Sequence, residues 1–245
     1  MTVPPELFDD DYLYFYADVL DDERSDADAE VVARLLSLRP GMRVLDVPCG
    51  EGRIAGRLAQ RGCEVVGLDS SRPFLALARD RYPEVTFEHG DMRALPYDGE
   101  FDAVVNWFTS FGYFDAATND AVLAGFARAL RPGGRLAIEL LNPARLVALL
   151  ALTGGTTAMV VERDGDLMVD RATYDPVDRR SHTERFVVRD GRVRKIEFSL
   201  EQVPAPQLVR RLQDAGFGDV QLFGRDGATF EPEGPRLIAV GRRHD

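Results

Sequence analysis

The chain has 245 residues, 45% of them hydrophobic and 29% charged, enough to bury one substantial core and near the upper size for one domain plus a cap. Its 30 basic and 41 acidic residues leave a net charge of -11, which repels phosphate backbones and anionic membranes, so neither nucleic acid nor a membrane is the expected partner. Two cysteines, Cys49 and Cys63, are too few for a disulfide scaffold and have no neighbouring Cys/His grouping that suits a metal. Met1 to Pro5 lacks a basic start leading into an apolar run, and the longest apolar stretch, Leu146 to Leu152, is too short to span a bilayer. The expectation is a cytoplasmic protein with reduced thiols and no metal.

Residues 1–30 read as an acidic, aromatic N-terminal segment, with Phe8, Tyr12, Tyr14, Phe15 and Tyr16 among carboxylates. Ser25-Asp26-Ala27-Asp28 has the form of a capping box opening a helix with Val31, Val32, Leu35 and Leu36 on one face. Apolar strands are then expected at Arg43 to Val47, Glu64 to Leu68, Val85 to Glu88, Phe101 to Asn106 and Arg135 to Leu141, with amphipathic helices following the first, second and fourth. Strands alternating with helices imply a parallel, doubly wound α/β sheet covered on both faces. After Asn142-Pro143 the pattern changes. Thr157 to Glu162, Leu167 to Tyr174, Thr183 to Arg189 and Arg192 to Leu200 read as strands joined by turn signals such as Asp164-Gly165 and Asp190-Gly191. A helix over Gln207 to Ala215 and strands at Val220 to Phe223 and Arg236 to Val240 return to the main sheet. The expected division is a main domain at 31–143 and 204–245, with an antiparallel β insert at 144–203.

In open α/β sheets ligands bind beyond the carboxyl ends of the strands. The first such turn here is Asp46-Val47-Pro48-Cys49-Gly50-Glu51-Gly52. Gly50 and Gly52 let the backbone bend tightly and approach a ligand, and the helix that follows points free N–H groups toward the turn. Asp69 ends the second strand, where a carboxylate suits the two hydroxyls of a nucleoside ribose. A Gly-x-Gly alone is equally a structural turn; strand, turn, helix and acid together point to a nucleoside. A dinucleotide fingerprint would need Gly-x-Gly-x-x-Gly, and here Gly56 comes one position late.

Val44-Leu45-Asp46-Val47-Pro48-Cys49-Gly50-Glu51-Gly52 closely resembles the first motif of the class I S-adenosylmethionine-dependent methyltransferases. Val66 to Ser71 resembles the second, Gly90 to Pro96 the third, Phe101 to Asn106 the fourth, and Leu130 to Leu136 the stretch before strand five. The resemblance covers about Val31 to Asn142 and the last strands. It implies a seven-stranded, mostly parallel sheet whose seventh strand is antiparallel between strands five and six, and S-adenosylmethionine as cofactor with S-adenosylhomocysteine as product. It also implies that Asp46, Pro48, Cys49, Gly50 and Gly52 line the methionine part, that Asp69 and Ser70 take the ribose, and that Gly90, Asp91 and Met92 serve the adenine. Asn106, Trp107 and Phe111 are placed near the sulfonium. The N-terminal segment is expected to be a lid contributing Tyr16, with Arg24 available to the cofactor carboxylate.

The acceptor side is less defined. Trp107 to Phe114 holds five aromatics in eight residues after the fourth strand, and reads as a pocket wall resembling that of small-molecule N-methyltransferases, including those acting on amino sugars and antibiotic precursors. Methyl transfer is an in-line displacement that depends mainly on alignment. Candidate catalytic groups are Tyr14, Asn106, Phe111, Tyr113, Asn142 and His182. Only His89, His182 and His244 exist as imidazoles, and none follows strand five, which favours a nitrogen acceptor over an oxygen that needs a base. O-methylation with His182 as base is the alternative, and a cofactor-binding regulator is the non-enzymatic one. A small-molecule acceptor is the expected partner, and the β insert is the surface through which a homo-oligomer would form.

Overall fold

The structure, a computed structural model, describes residues 3–244. Its main sheet is built from β1 (Arg43–Asp46), β2 (Glu64–Asp69), β3 (Thr86–His89), β4 (Phe101–Asn106), β5 (Leu130–Leu141), β10 (Phe217–Phe223) and β11 (Arg236–Arg243). The order is β10-β11-β5-β4-β1-β2-β3, with β11 antiparallel between β5 and β10 and the pairs among β1 to β5 parallel. This is the sheet of the class I methyltransferase fold.

Successive strand residues point to opposite faces, and both faces are apolar here. Leu45 and Val104 pack with Val122, Leu123 and Phe126 of α5 (Ala116–Ala129) and Leu208 and Leu212 of α7 (Ala205–Asp214). Val44, Ala103 and Val105 pack on the other face with Val32 and Leu36 of α2 (Asp22–Leu36), Ile54 and Leu58 of α3 (Arg53–Gln60) and Leu75 of α4 (Arg72–Arg81). Strand order reverses between β1 and β4, so the crevice at their carboxyl ends is where a ligand site is formed.

A second sheet carries β6 (Thr156–Arg163), β7 (Asp166–Asp175), β8 (Arg180–Arg189) and β9 (Arg192–Glu201) as an antiparallel meander. Two of its turns are Asp-Gly pairs in which both residues have positive φ, Asp164-Gly165 and Asp190-Gly191, the backbone that a two-residue hairpin requires. The meander is tied to the main sheet through the loop after β4. Glu201 N–H donates to Gly112 O at 2.8 Å, and the Arg180 guanidinium donates to Phe114 O at 2.7 Å and Tyr113 O at 3.4 Å. Gly112 has φ +106, and a Cβ there would lie 2.9 Å from Glu201 O.

Three elements differ from the sequence reading. The N-terminal segment contains a helix, α1 (Asp10–Tyr16), capped by the Asp9 carboxylate accepting from Asp11 and Tyr12 N–H groups. The second helix starts earlier than the proposed capping box: Asp21 is its cap, accepting from Arg24 N–H at 2.7 Å, and Ser25 is a buried helical residue whose hydroxyl donates to Leu20 O. The apolar run after β5 forms α6 (Pro143–Leu152), ahead of the meander. Among the described residues, no helix is long and apolar enough to cross a membrane, and no group of three or more His, Cys, Asp or Glu side chains is arranged to hold a metal ion. Cys49 and Cys63 are buried free thiols.

Candidate active site

The carboxyl ends of β1, β2 and β4 open into a cavity of about 300 Å³. Its floor is the first glycine-rich turn, with Asp46, Pro48, Cys49 and Gly50 in the lining. Gly50 has φ +56 and Gly52 has φ +80, a conformation glycine adopts without strain. Gly52 itself is not in the wall. A Cβ there would lie 2.7 Å from the Phe87 ring, so it lets α3 start close against β3.

Two carboxylates define the polar end. Asp69 is held by Gly50 N–H at 2.8 Å on one oxygen and Ser71 N–H at 2.7 Å on the other, which fixes its orientation and leaves outward lone pairs free for two hydroxyls. Burial raises its pKa, and those two N–H groups oppose the rise. Asp46 is 2% exposed and its Oδ2 has no partner. Burial pushes its carboxyl up to about 7, with the Arg53 charge pulling the other way. A buried acceptor without a donor is costly unless a ligand completes it. An ammonium group, such as the one on the methionine part of S-adenosylmethionine, supplies that donor. The residues present fit the cofactor.

Ser70, expected beside Asp69 at the ribose, and Gly90, Asp91 and Met92, expected at the adenine, all line the cavity. Both Asp91 oxygens accept from the Arg93 guanidinium, which keeps this carboxyl below its ordinary range. The Arg93 guanidinium also lies 4.8 Å from the centre of the Phe114 ring.

The remaining wall is aromatic. Trp107, Phe108, Tyr113 and Phe114 from the loop after β4 face Phe8 and Tyr12 from the N-terminal segment. Tyr16 stacks on Tyr12 at 4.6 Å between ring centres, and Phe8 meets Tyr113 edge-on at 5.8 Å. Helix α1 is held over the cavity by the meander: Asp11 pairs with Arg189 and Arg194, Tyr14 donates to Arg163 O, and the Tyr16 hydroxyl accepts from Arg185. A second cavity, of about 340 Å³, adjoins the first where Val3 and Tyr113 line both. His182, Thr183, Glu184, Glu197 and Phe198 are in its wall.

The structure does not bring all the expected residues to the cavity. Asn106 is fully buried behind it, donating to Val47 O at 2.8 Å with its Oδ1 unpartnered. Phe111 is 2% exposed and part of the core under α5. Asn142 is the cap of α6, accepting from Ala144 N–H and donating to Pro232 O. Arg24 is engaged by Asp28 at 2.7 Å and Asp226 at 2.9 Å. Tyr14 faces the meander, with the Arg189 guanidinium 4.0 Å from its ring centre. Conversely Glu51, Arg53 and Phe74 line the cavity without having been singled out for it, beside Phe8 and Tyr12 of the expected lid and Phe108 of the expected wall. Phe8, Tyr12 and Phe108 belong to aromatic stretches already visible in the sequence; the placement of the others depends on tertiary packing.

Residues 44–134 match the family model described as a methyltransferase domain. Over 191 residues the chain is 32% identical to the dTDP-3-amino-3,4,6-trideoxy-alpha-D-glucopyranose N,N-dimethyltransferase of Streptomyces venezuelae, covering 77% of this chain and 73% of that one. The chain belongs to the S-adenosylmethionine-dependent methyltransferases. A shorter match, 41% identical over 104 residues, joins this methyltransferase to the demethylmenaquinone methyltransferase of Beutenbergia cavernae, and spans 42% of each chain. With that relative and with a methyltransferase of Synechocystis, of which 49% is covered, the likeness thus extends over less than half the relative's length. In fold, the methyltransferase is similar to the CcbJ methyltransferase of Streptomyces caelestis, with a TM-score of 0.78 at 24% identity over 94% of this chain and 96% of that one. As a member of that family it uses S-adenosylmethionine as its methyl donor.

Proposed function

We propose that the methyltransferase alkylates an amine nitrogen of its small-molecule acceptor. When bound, S-adenosylmethionine supplies a methyl group already activated by a positively charged sulfur. The protein then has to hold donor and acceptor in line and keep water out. Asp46 holds the methionine end of the donor and Asp69 its ribose, and the aromatic wall closes the space between donor and acceptor. Aromatic faces also attract a cationic centre.

The observation that carries the reading is the make-up of that wall. Among the described residues no histidine lines the main cavity, and its two phenols, Tyr12 and Tyr113, are held well above their ordinary pKa by burial, so at neutral pH they remain neutral hydrogen-bonding groups. A neutral amine needs only placement, whereas a hydroxyl acceptor has to lose a proton as it reacts. The N,N-dimethyltransferases of amino sugars from Streptomyces venezuelae and Streptomyces fradiae, 32% and 35% identical over their matches, support the same choice. In this reading helix α1 serves as a lid, residues 144–203 form the acceptor-side insert, and the acceptor enters through the second cavity.

That cavity also favours a second reading, transfer to an oxygen with His182 as base, because His182 lines it beside Tyr113. Radiolabelled S-adenosylmethionine offered with matched pairs of amino and hydroxy sugars separates the two. Label is expected on the amines only, with His182→Ala turning over within about threefold of the wild type. Label on the hydroxy sugars, lost about a thousandfold in His182→Ala at unchanged cofactor affinity, would overturn the amine reading.

A further inference from the structure

The turn that carries the aromatic wall is backbone-strained. Phe108 and Thr109 have φ of +59 and +58, consecutive non-glycine residues in the left-handed region. Such a residue is strained and persists where its surroundings over-determine it. Here the surroundings come from two residues of β5, Glu139 and Leu141. Phe108 N–H donates to Glu139 Oε2 at 2.9 Å, Thr109 N–H donates to Glu139 O at 3.0 Å, and the Thr109 hydroxyl accepts from Leu141 N–H at 3.0 Å. Glu139 is 3% exposed and forms a two-point ion pair with Arg236 of β11. The Phe108 ring then lies 5.4 Å from the Arg236 guanidinium and 5.3 Å from that of Arg53, which Asp28 holds at 2.8 Å. Its edge meets the Tyr16 ring of α1 at 6.1 Å.

We propose that Glu139 is a positioning residue for methyl transfer, acting through Phe108. Its carboxylate does two separable things: its charge balances Arg236, and its Oε2 receives the N–H that keeps Phe108 turned into the cavity. The first is a matter of stability. The second sets where the ring stands against the cofactor and the lid, and so rests on the reading of this cavity as the place where donor and acceptor meet.

Gln and Leu at this position separate the two roles. Glu139→Gln loses the charge but keeps an oxygen for Phe108 N–H; Glu139→Leu loses both. Trp107, the single tryptophan, adjoins Phe108 and is 5% exposed, so its fluorescence reports the turn directly. Both variants are expected to melt below the wild type by similar amounts. Acrylamide quenching of Trp107 in the protein bound to S-adenosylhomocysteine is expected to rise several-fold in Glu139→Leu and to stay near wild type in Glu139→Gln. Wild-type quenching in both variants, or an equal rise in both, would overturn the positioning role and leave only the ion pair. Should Glu139→Leu fail to fold, Glu139→Gln alone decides, since unprotected Trp107 in a folded Gln variant has the same force. Calorimetric titration of the wild type with S-adenosylhomocysteine keeps the outcomes apart: no binding there would refute the reading of the cavity itself.

Discussion

Asp46 is a buried carboxyl whose environment is far from that of water. Its carboxyl titrates near 7 in the folded protein against an ordinary value of 3.8, with burial as the main cause. A pKa raised by folding means that the native state holds the proton more tightly than the unfolded chain. The stabilisation is complete below the unfolded value and disappears as pH rises through about 7. Cofactor binding has the opposite demand, because an ammonium group prefers the ionised form. The dissociation constant for S-adenosylhomocysteine should therefore weaken by up to ~tenfold per pH unit below 7, and Asp46→Asn should flatten that dependence in a calorimetric pH series. A slope unchanged in the Asn variant would assign the titration elsewhere. Gly52 makes a different kind of demand. Alanine there combines a positive φ with a Cβ 2.7 Å from the Phe87 ring, so Gly52→Ala should cost about 2 kcal/mol or more and lower the melting temperature by ~4–8 °C. A melting curve superimposable on the wild type would show that Phe87 yields freely. Both residues stand out in the sequence, but for Gly52 the reason was only half legible: the turn was visible, and the ring it clears lies 35 positions away.

Among the elements, the strands were the most legible, because each is a short apolar run bounded by glycine, proline or charge. The helix α1 was not. Asp10-Asp11-Tyr12-Leu13-Tyr14-Phe15-Tyr16 has too many carboxylates and aromatics to suggest a stable short helix by itself, and helices of this length are marginal in isolation. Its partners are arginines of the meander, Arg163, Arg185, Arg189 and Arg194, more than 145 positions downstream. Helix α6 escaped notice for a related reason, since Asn142 looked like a residue of the site and is the cap that starts it. The dependence of α1 on the meander can be measured. Replacing both Arg189 and Arg194 by alanine should speed proteolytic cleavage between α1 and α2 several-fold with little effect on the melting of the main sheet. Added salt should do the same to the wild type, because these pairs are partly exposed. Equal protection in the double variant would mean that Phe15 with its apolar contacts, together with the Arg163 and Arg185 bonds, suffices to hold α1.

At the scale of the whole molecule, the alternating α/β sheet and the glycine-rich turn follow from local signals in sequence, whereas the place of the antiparallel seventh strand comes only from the family resemblance. The way the second sheet meets the first follows from contacts that local patterns do not encode. Arg180 reads as one more surface arginine in a basic stretch, yet it is 8% exposed and donates to the backbone of the loop after β4. Gly112 sits in an aromatic run, and the crowding that requires glycine there comes from Glu201.

Those last two contacts bear on how the enzyme can be rebuilt. The meander has the form of a cassette for exchange between relatives, and its ends at α6 and α7 invite such a splice. But Glu201 and Arg180 grip the carbonyls of Gly112, Tyr113 and Phe114, so a foreign meander would meet a loop shaped for another partner. A working chimera has to carry residues 107–114 together with the meander, as one inherited unit split in sequence.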